Sequence, residues 1–256
     1  MNIQFPLHTA VWIVFNMIIG GTLVALSLNQ SFSRMAISLQ KKQIWQAMVF
    51  LSLITWFVGR LILGQNWIIA PAKLIVLSSF VFYSSVMMAM RFSPIFREAV
   101  LSIPQEKLIG IQSVRVGGFV FLTFLDMGLL PAQFAVPAGY GDILVGLTAP
   151  LVVYALIAQK PYAPKVAIAW NVLGLVDFAV ALATGMIFIG PYVRQLARSG
   201  HSIAYLDYVL MIPGFAVPIL VLMHINSLFG LLSGKGSVSG SSVLRQQQDH
   251  GQAIRG

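Results

Sequence analysis

Seven stretches of this chain are apolar for roughly 20 residues or more, the length that crosses the hydrocarbon core of a bilayer. They lie at 8–28, 46–64, 67–90, 105–130, 137–159, 165–189 and 204–232, with short polar segments between them. In lipid the backbone must satisfy its own hydrogen bonds, so runs of this kind fold as helices. The expected fold is all-α: a polytopic membrane bundle of seven transmembrane helices over residues 1–232. A tail over 233–256, rich in Gly, Ser and Gln, has too few large apolar residues to order itself. Composition agrees with this reading. Only 9% of residues are charged, against about 25% in a soluble domain. The first seven residues carry no Lys or Arg, so the first run reads as a retained span rather than a signal peptide.

Orientation follows from the basic residues. Arg34, Lys41, Lys42, Arg91, Arg97, Lys107, Lys160, Lys165, Lys235, Arg245 and Arg255 fall on one side, and only Arg194 and Arg198 on the other. Positive loops stay in the cytoplasm, which predicts the N-terminus outside and the C-terminus inside, in a cell (inner) membrane. Tyr140, Tyr192 and Tyr205 then mark the outer rim, and Trp45, Tyr162 and Trp170 the inner one. The net charge of +9 is accounted for by these loops. No nucleic-acid-binding motif accompanies it, so the expected partner is the lipid bilayer. There is no cysteine. His224 is the only histidine well within a span, and no His-Glu-x-x-His occurs. No metal or cofactor is therefore expected.

Local signals punctuate the bundle. Segments 31–45 and 191–198 have the patterning of amphipathic helices lying on the membrane surface. Ser102 and Gln105 have the spacing of a capping box before the fourth span. The fifth span opens at Pro137 and holds Gly141, Gly146 and Pro150, and the seventh holds Pro213-Gly214 and Pro218. Helix breaks or kinks are expected at both, with Gly141, Gly146, Pro150, Pro213 and Gly214 as candidates for gating. Asp142-Ile-Leu-Val145-Gly-Leu147 and Asp177-Phe-Ala-Val180-Ala-Leu182 agree at three of six positions, a faint sign of an inverted repeat.

Charges inside the spans carry the functional reading, because each costs about 2.5–3.5 kcal/mol near the bilayer centre. Arg60, Lys73, Asp126 and Asp142 are expected near the outer surface, with Arg60 and Lys73 as partners of the two carboxylates. Arg115 and Asp126 are eleven residues apart, close to three α-helical turns, so they should share a face about 16 Å apart. Asp177 has twelve or more span residues on either side. It must be paired with a cation, hydrogen-bonded by Asn171 or Thr148, or protonated.

The leading expectation is a transporter-like or small-solute-binding bundle. Its site would lie between spans two to six, open to the outside. Arg60 and Lys73 would attract an anion there, and Asp142 and Asp177 would bind a cation or proton. One alternative is a non-catalytic membrane subunit or assembly factor, in which the same charges only join helices. A second rests on Gly139-Tyr140-Gly141-Asp142, which resembles the Gly-x-Gly-Asp sequence of intramembrane aspartyl proteases. That resemblance implies a second catalytic Asp on the preceding span. Asp126 stands there, but follows Leu125 rather than the family's Tyr, and the family's Pro-Ala-Leu sequence is missing. A seven-span chain with its N-terminus outside also resembles rhodopsins in topology, but the last span has no lysine for a Schiff base.

Overall fold

The computed structural model describes the backbone of residues 7–64 and 71–234, with side chains except at 7, 60–64, 71–76 and 78. The tail beyond residue 234 lies outside the described residues. Every regular element described is helical. In order they are α1 (Leu7–Arg34), α2 (Leu39–Gly64), α3 (Pro71–Phe92), α4 (Pro94–Leu101) and α5 (Gln105–Gly110). A 3-10 segment (Ile111–Gly118) follows, then α6 (Phe119–Asp126), α7 (Ala132–Ile157), α8 (Ala163–Arg198), α9 (Leu206–Met211), a π-helical turn (Ile212–Ala216) and α10 (Val217–Leu232).

Five described segments are long and apolar enough to cross a bilayer: His8–Arg34, Gln105–Asp126, Ala132–Ile157, Ala163–Arg198 and Leu206–Leu232. Their outward side chains are those lipid would cover; Leu151 is 68% exposed and Met186 63%. This is the architecture of a multi-pass integral membrane protein. α2 and α3 are the two other long helices, with 26 and 22 residues.

Several expected boundaries move. No separate helix covers 31–45: α1 runs on to Arg34, and Ser38 starts α2, its hydroxyl accepting from the Lys41 backbone N–H at 3.4 Å. A serine in that place caps a helix start. Segment 191–198 is the last part of α8, which continues through Pro191. At 36 residues, α8 is about 54 Å long, well beyond the ~30 Å hydrocarbon core. The fifth span starts at Ala132, not Pro137, because Pro131 sets the extended entry. α7 is then one helix that runs through Gly141, Gly146 and Pro150. The Ser102–Gln105 capping box is absent as well: Pro104 precedes α5 without a side-chain cap, and Gln105 is buried among other helices. The short α4 was not foreseen; Ser93 caps it, accepting from the Phe96 N–H at 3.1 Å.

The fourth span is a composite rod of α5, the 3-10 segment and α6. It ends in a left-handed glycine turn at Gly128, φ +66°. There the Leu129 N–H reaches Phe124 O at 2.8 Å and Gly128 N–H reaches Leu125 O at 2.9 Å, the pattern that closes orphan carbonyls at a helix end. Two tyrosines hold this turn from above: Tyr192 OH donates to Gly128 O at 2.9 Å, and Tyr205 OH to Leu129 O at 2.6 Å. α7 and α8 form an antiparallel hairpin turning at Gln159–Lys160, and the rod and α10 pack against it. The apolar core has two parts. The larger contains Phe121, Phe124, Phe178 and Phe215; the smaller contains Ile109, Val145, Ala149, Ala167 and Trp170. The polar site lies where these two meet.

Candidate functional site

In a 3-10 helix residues three apart share a face. Within Ile111–Gly118 that face is Gln112, Arg115 and Gly118, and all three are buried. It points Arg115 into the α7–α8 hairpin. The guanidinium Nε donates to Asp142 Oδ1 at 2.7 Å, and Nη2 donates to Asp177 Oδ2. Nη1 approaches Gly174 O at 3.4 Å and His224 Nε2 at 3.1 Å. The guanidinium carbon lies 3.8 Å from the centre of the Phe178 ring, a cation–π placement. The Arg115 side chain is 1% exposed, those of Asp142 and Asp177 14% and 11%.

The hydrogen-bond directions fix the state of the histidine. Arginine only donates, so His224 Nε2 accepts and the ring proton sits on Nδ1. Nδ1 then donates to Asn171 Oδ1 at 2.8 Å. The Asn171 amide nitrogen in turn donates to Ala167 O at 2.8 Å and to Ser227 Oγ at 2.9 Å. Ser227 donates to Gln105 Oε1 at 2.7 Å. The chain of donors is self-consistent, and it makes His224 neutral. Trp170 and Phe178 flank the imidazole with ring centroids at 5.3 and 6.0 Å.

Glycines make room for this packing. A Cβ on Gly118 would strike Asp142, one on Gly141 would strike Asp177, and one on Gly174 would strike His224. A Cβ on Gly146 would lie 2.5 Å from the Val116 backbone nitrogen. Small residues let helix backbones approach where larger ones would hold them apart. Gly141 and Gly146 thus mark close contacts inside an intact helix.

Of the residues singled out from sequence, Arg115, Asp142, Asp177 and Asn171 come together in one network. Asp126 does not: it is exposed at the end of α6 and takes no part in the Arg115 network. The reason is the 3-10 segment. Its steeper twist puts positions 115 and 126 about 80° apart around the rod, where a pure α-helix gives about 20°. Asp142 takes Arg115 as a partner, and the side chains of Arg60 and Lys73 lie outside the described residues. Asp142 and Asp177 sit at one level, nearly equidistant along the chain from the hairpin turn, instead of at different depths. Thr148 bonds Trp170 Nε1 at 2.9 Å, not Asp177. The two carboxylates that meet, Asp142 and Asp177, have a guanidinium between them, and Asp126 is exposed at the end of α6. Pro213 and Gly214 fall in the π-helical turn, the form that the interruption of the seventh span takes.

His224, Gln105 and Ser227 complete the network, although none is a site candidate from the sequence, and Gln112 lies on the same rod face, donating to Leu220 O at 3.0 Å. Their shared signal is spacing. Gln105 and Gln112 are seven apart, and His224 and Ser227 three apart, so each pair lies on one helix face.

A cleft of about 60 Å³ opens beside the network, between α1, the rod and the π-helical turn. Spans four, five and six line it through the rod, Asp142 and Phe178, and spans one and seven complete it. Ile13, Met17, Phe121 and Phe215 give it apolar walls, and Asn16, Arg115 and Asp142 bring polar atoms to it.

Residues 71–232 match the model of a family described as a domain of unknown function (DUF8737). The match spans the whole Arg115 network and leaves out α1. No curated protein and no solved structure matches the chain.

Proposed function

The chain belongs to the DUF8737 family, and from its buried site we propose that it is a seven-span, ion-coupled carrier of a small solute. The N-terminus lies outside, the C-terminus in the cytoplasm, and the membrane is the cell (inner) membrane. The observation that carries this reading is one guanidinium shared by two carboxylates, Asp142 and Asp177, with neutral His224 alongside. The formal charge of the set is −1. An uncompensated charge away from water is costly. A proton or monovalent cation therefore completes the site, and its arrival and departure are the coupling event. The adjoining cleft gives that ion a path past Asp142. Ionisable groups at such depth mark ion and substrate pathways.

Proteoliposomes holding a pH-sensitive dye test this. Challenged in turn with small amines, amino acids, carboxylates and sugars, wild-type protein shows proton movement with one of these classes. The Asp177→Asn protein, folded to the same thermal stability in detergent, shows none. Movement at the wild-type rate in the variant overturns the proposal.

One feature favours a second reading. Gln105, Asn171, His224 and Ser227 each bond another helix or another network member, as a static joint would. In that case the chain is a non-catalytic subunit, no solute moves protons, and a stable partner copurifies.

A further inference from the structure

We infer that the cleft beside Asp142 binds a small organic cation, ammonium or a short alkylammonium; this deepens the carrier reading and rests on it. Charge is the first argument. Arg115 contributes +1, the two carboxylates −2, and His224 none, because its Nε2 accepts from Arg115. Among the described residues no other charged side chain bonds to either carboxylate. An anion meets net repulsion there.

The second argument is the hydrogen-bonding inventory. Asp142 Oδ2 has no hydrogen-bond partner among the described residues, since Arg115 engages Oδ1. The Asn16 amide nitrogen donates to Val114 O at 3.1 Å, which leaves Oδ1 as the unengaged end of that side chain. Both residues line the cleft. Arg115, the one cation on the wall, already directs its donors at Asp142, Asp177, Gly174 and His224. The wall thus offers acceptors and asks for a donor, which an N–H cation supplies. A hard metal ion wants about six oxygen ligands and finds two.

The third argument is shape. Trp12, Phe121 and Phe215 present aromatic surface to the cleft, and aromatic faces attract ammonium groups. A cavity of about 150 Å³ admits benzene. The volume here, about 60 Å³, suits two or three non-hydrogen atoms, the size of methylammonium or ethylammonium.

The probe is methylammonium, titrated calorimetrically into the purified full-length protein in detergent, with acetate as a control of similar size. Methylammonium binds and acetate does not. Asp142→Asn removes binding, but it also disturbs the ion network, so Gly20→Leu is the second variant. Gly20 lines the cleft, and a Cβ there meets only Val114 at 3.8 Å. The longer side chain occupies that space, brings no charge to the Arg115 network, and weakens methylammonium binding about tenfold or more, or 1.4 kcal/mol. Equal methylammonium affinity in wild type and Gly20→Leu, or acetate binding in its place, overturns the inference. Proton movement with carboxylates or sugars alone in the liposome experiment sinks this inference and leaves the carrier standing. Methylammonium binding without any proton movement does the reverse.

Discussion

At the scale of single residues, the value of the ion triad depends on which members are removed. Arg115→Met leaves two buried carboxylates facing one another, and breaking a buried pair in this way costs about 3–5 kcal/mol. Replacing all three charges at once, as Arg115→Met with Asp142→Asn and Asp177→Asn, removes the repulsion along with the attraction. Buried ion pairs exchanged for neutral groups of similar volume are often neutral or stabilising. Thermal unfolding in detergent should therefore show a large loss for the single variant and recovery in the triple one. Ion-coupled flux should be lost in both, because no group remains to hold the ion. Recovery of stability together with flux would mean the charges do nothing but join helices. These three residues were legible in the sequence because a charge inside an apolar run is conspicuous. Their pairing was not. Asp142 was placed near the surface from the edge of its apolar run, but α7 starts five residues earlier than that edge suggests. His224 and Ser227 were not legible either, since a lone polar residue in a helix looks the same whether it faces a partner or not.

At the scale of elements, the rod between Gln105 and Asp126 decides the geometry. Its 3-10 portion aligns Gln112, Arg115 and Gly118 on one buried face, a period of three that a search for α-helical spacing blurs. The helical runs themselves were readable from length and apolarity, and the rod's change of winding was not. The rod stays close to α7 because Gly146 lets the backbone of Val116 approach. Gly146→Ala would place a Cβ 2.5 Å from that nitrogen, and backbone cannot swing aside as a side-chain tip can. The two elements must separate, at a cost of about 1–3 kcal/mol, and Arg115 retreats from both carboxylates. Gly59→Ala is the matched control. It lies in α2 with nothing within 4 Å of its would-be Cβ, and Gly to Ala in a helix is neutral or mildly stabilising. Melting temperatures in detergent should fall for Gly146→Ala and hold or rise for Gly59→Ala. An equal response in both would show that the rod does not depend on that close contact.

At the scale of the whole molecule, the proposed seven-span topology makes a statement about sidedness that the chain is unusually well suited to test. It contains no cysteine, so a single introduced thiol is the only one a maleimide can find. The α7–α8 hairpin turns at Lys160, which is exposed, and the α8–α9 connection contains Ser202, also exposed. With α8 spanning the bilayer between them, these positions must lie on opposite sides. In the orientation proposed from the basic loops, Lys160 lies in the cytoplasm with Lys165, and Arg194 and Arg198 on the outer side with Ser202. At 36 residues, α8 is longer than the hydrocarbon core requires, so the proposed arrangement leaves its arginine-bearing end room to reach water. A membrane-impermeant maleimide added to intact cells should label Ser202→Cys and spare Lys160→Cys until the cells are opened. The reverse pattern would invert the whole bundle. Labelling of both in intact cells would mean that α8 does not cross the membrane. Because α7 and α8 carry Asp142 and Asp177 at a common level, the same experiment also bears on the site. Only if this hairpin spans the bilayer are both carboxylates held at depth, and only there does the unbalanced charge beside Arg115 require an ion to complete it.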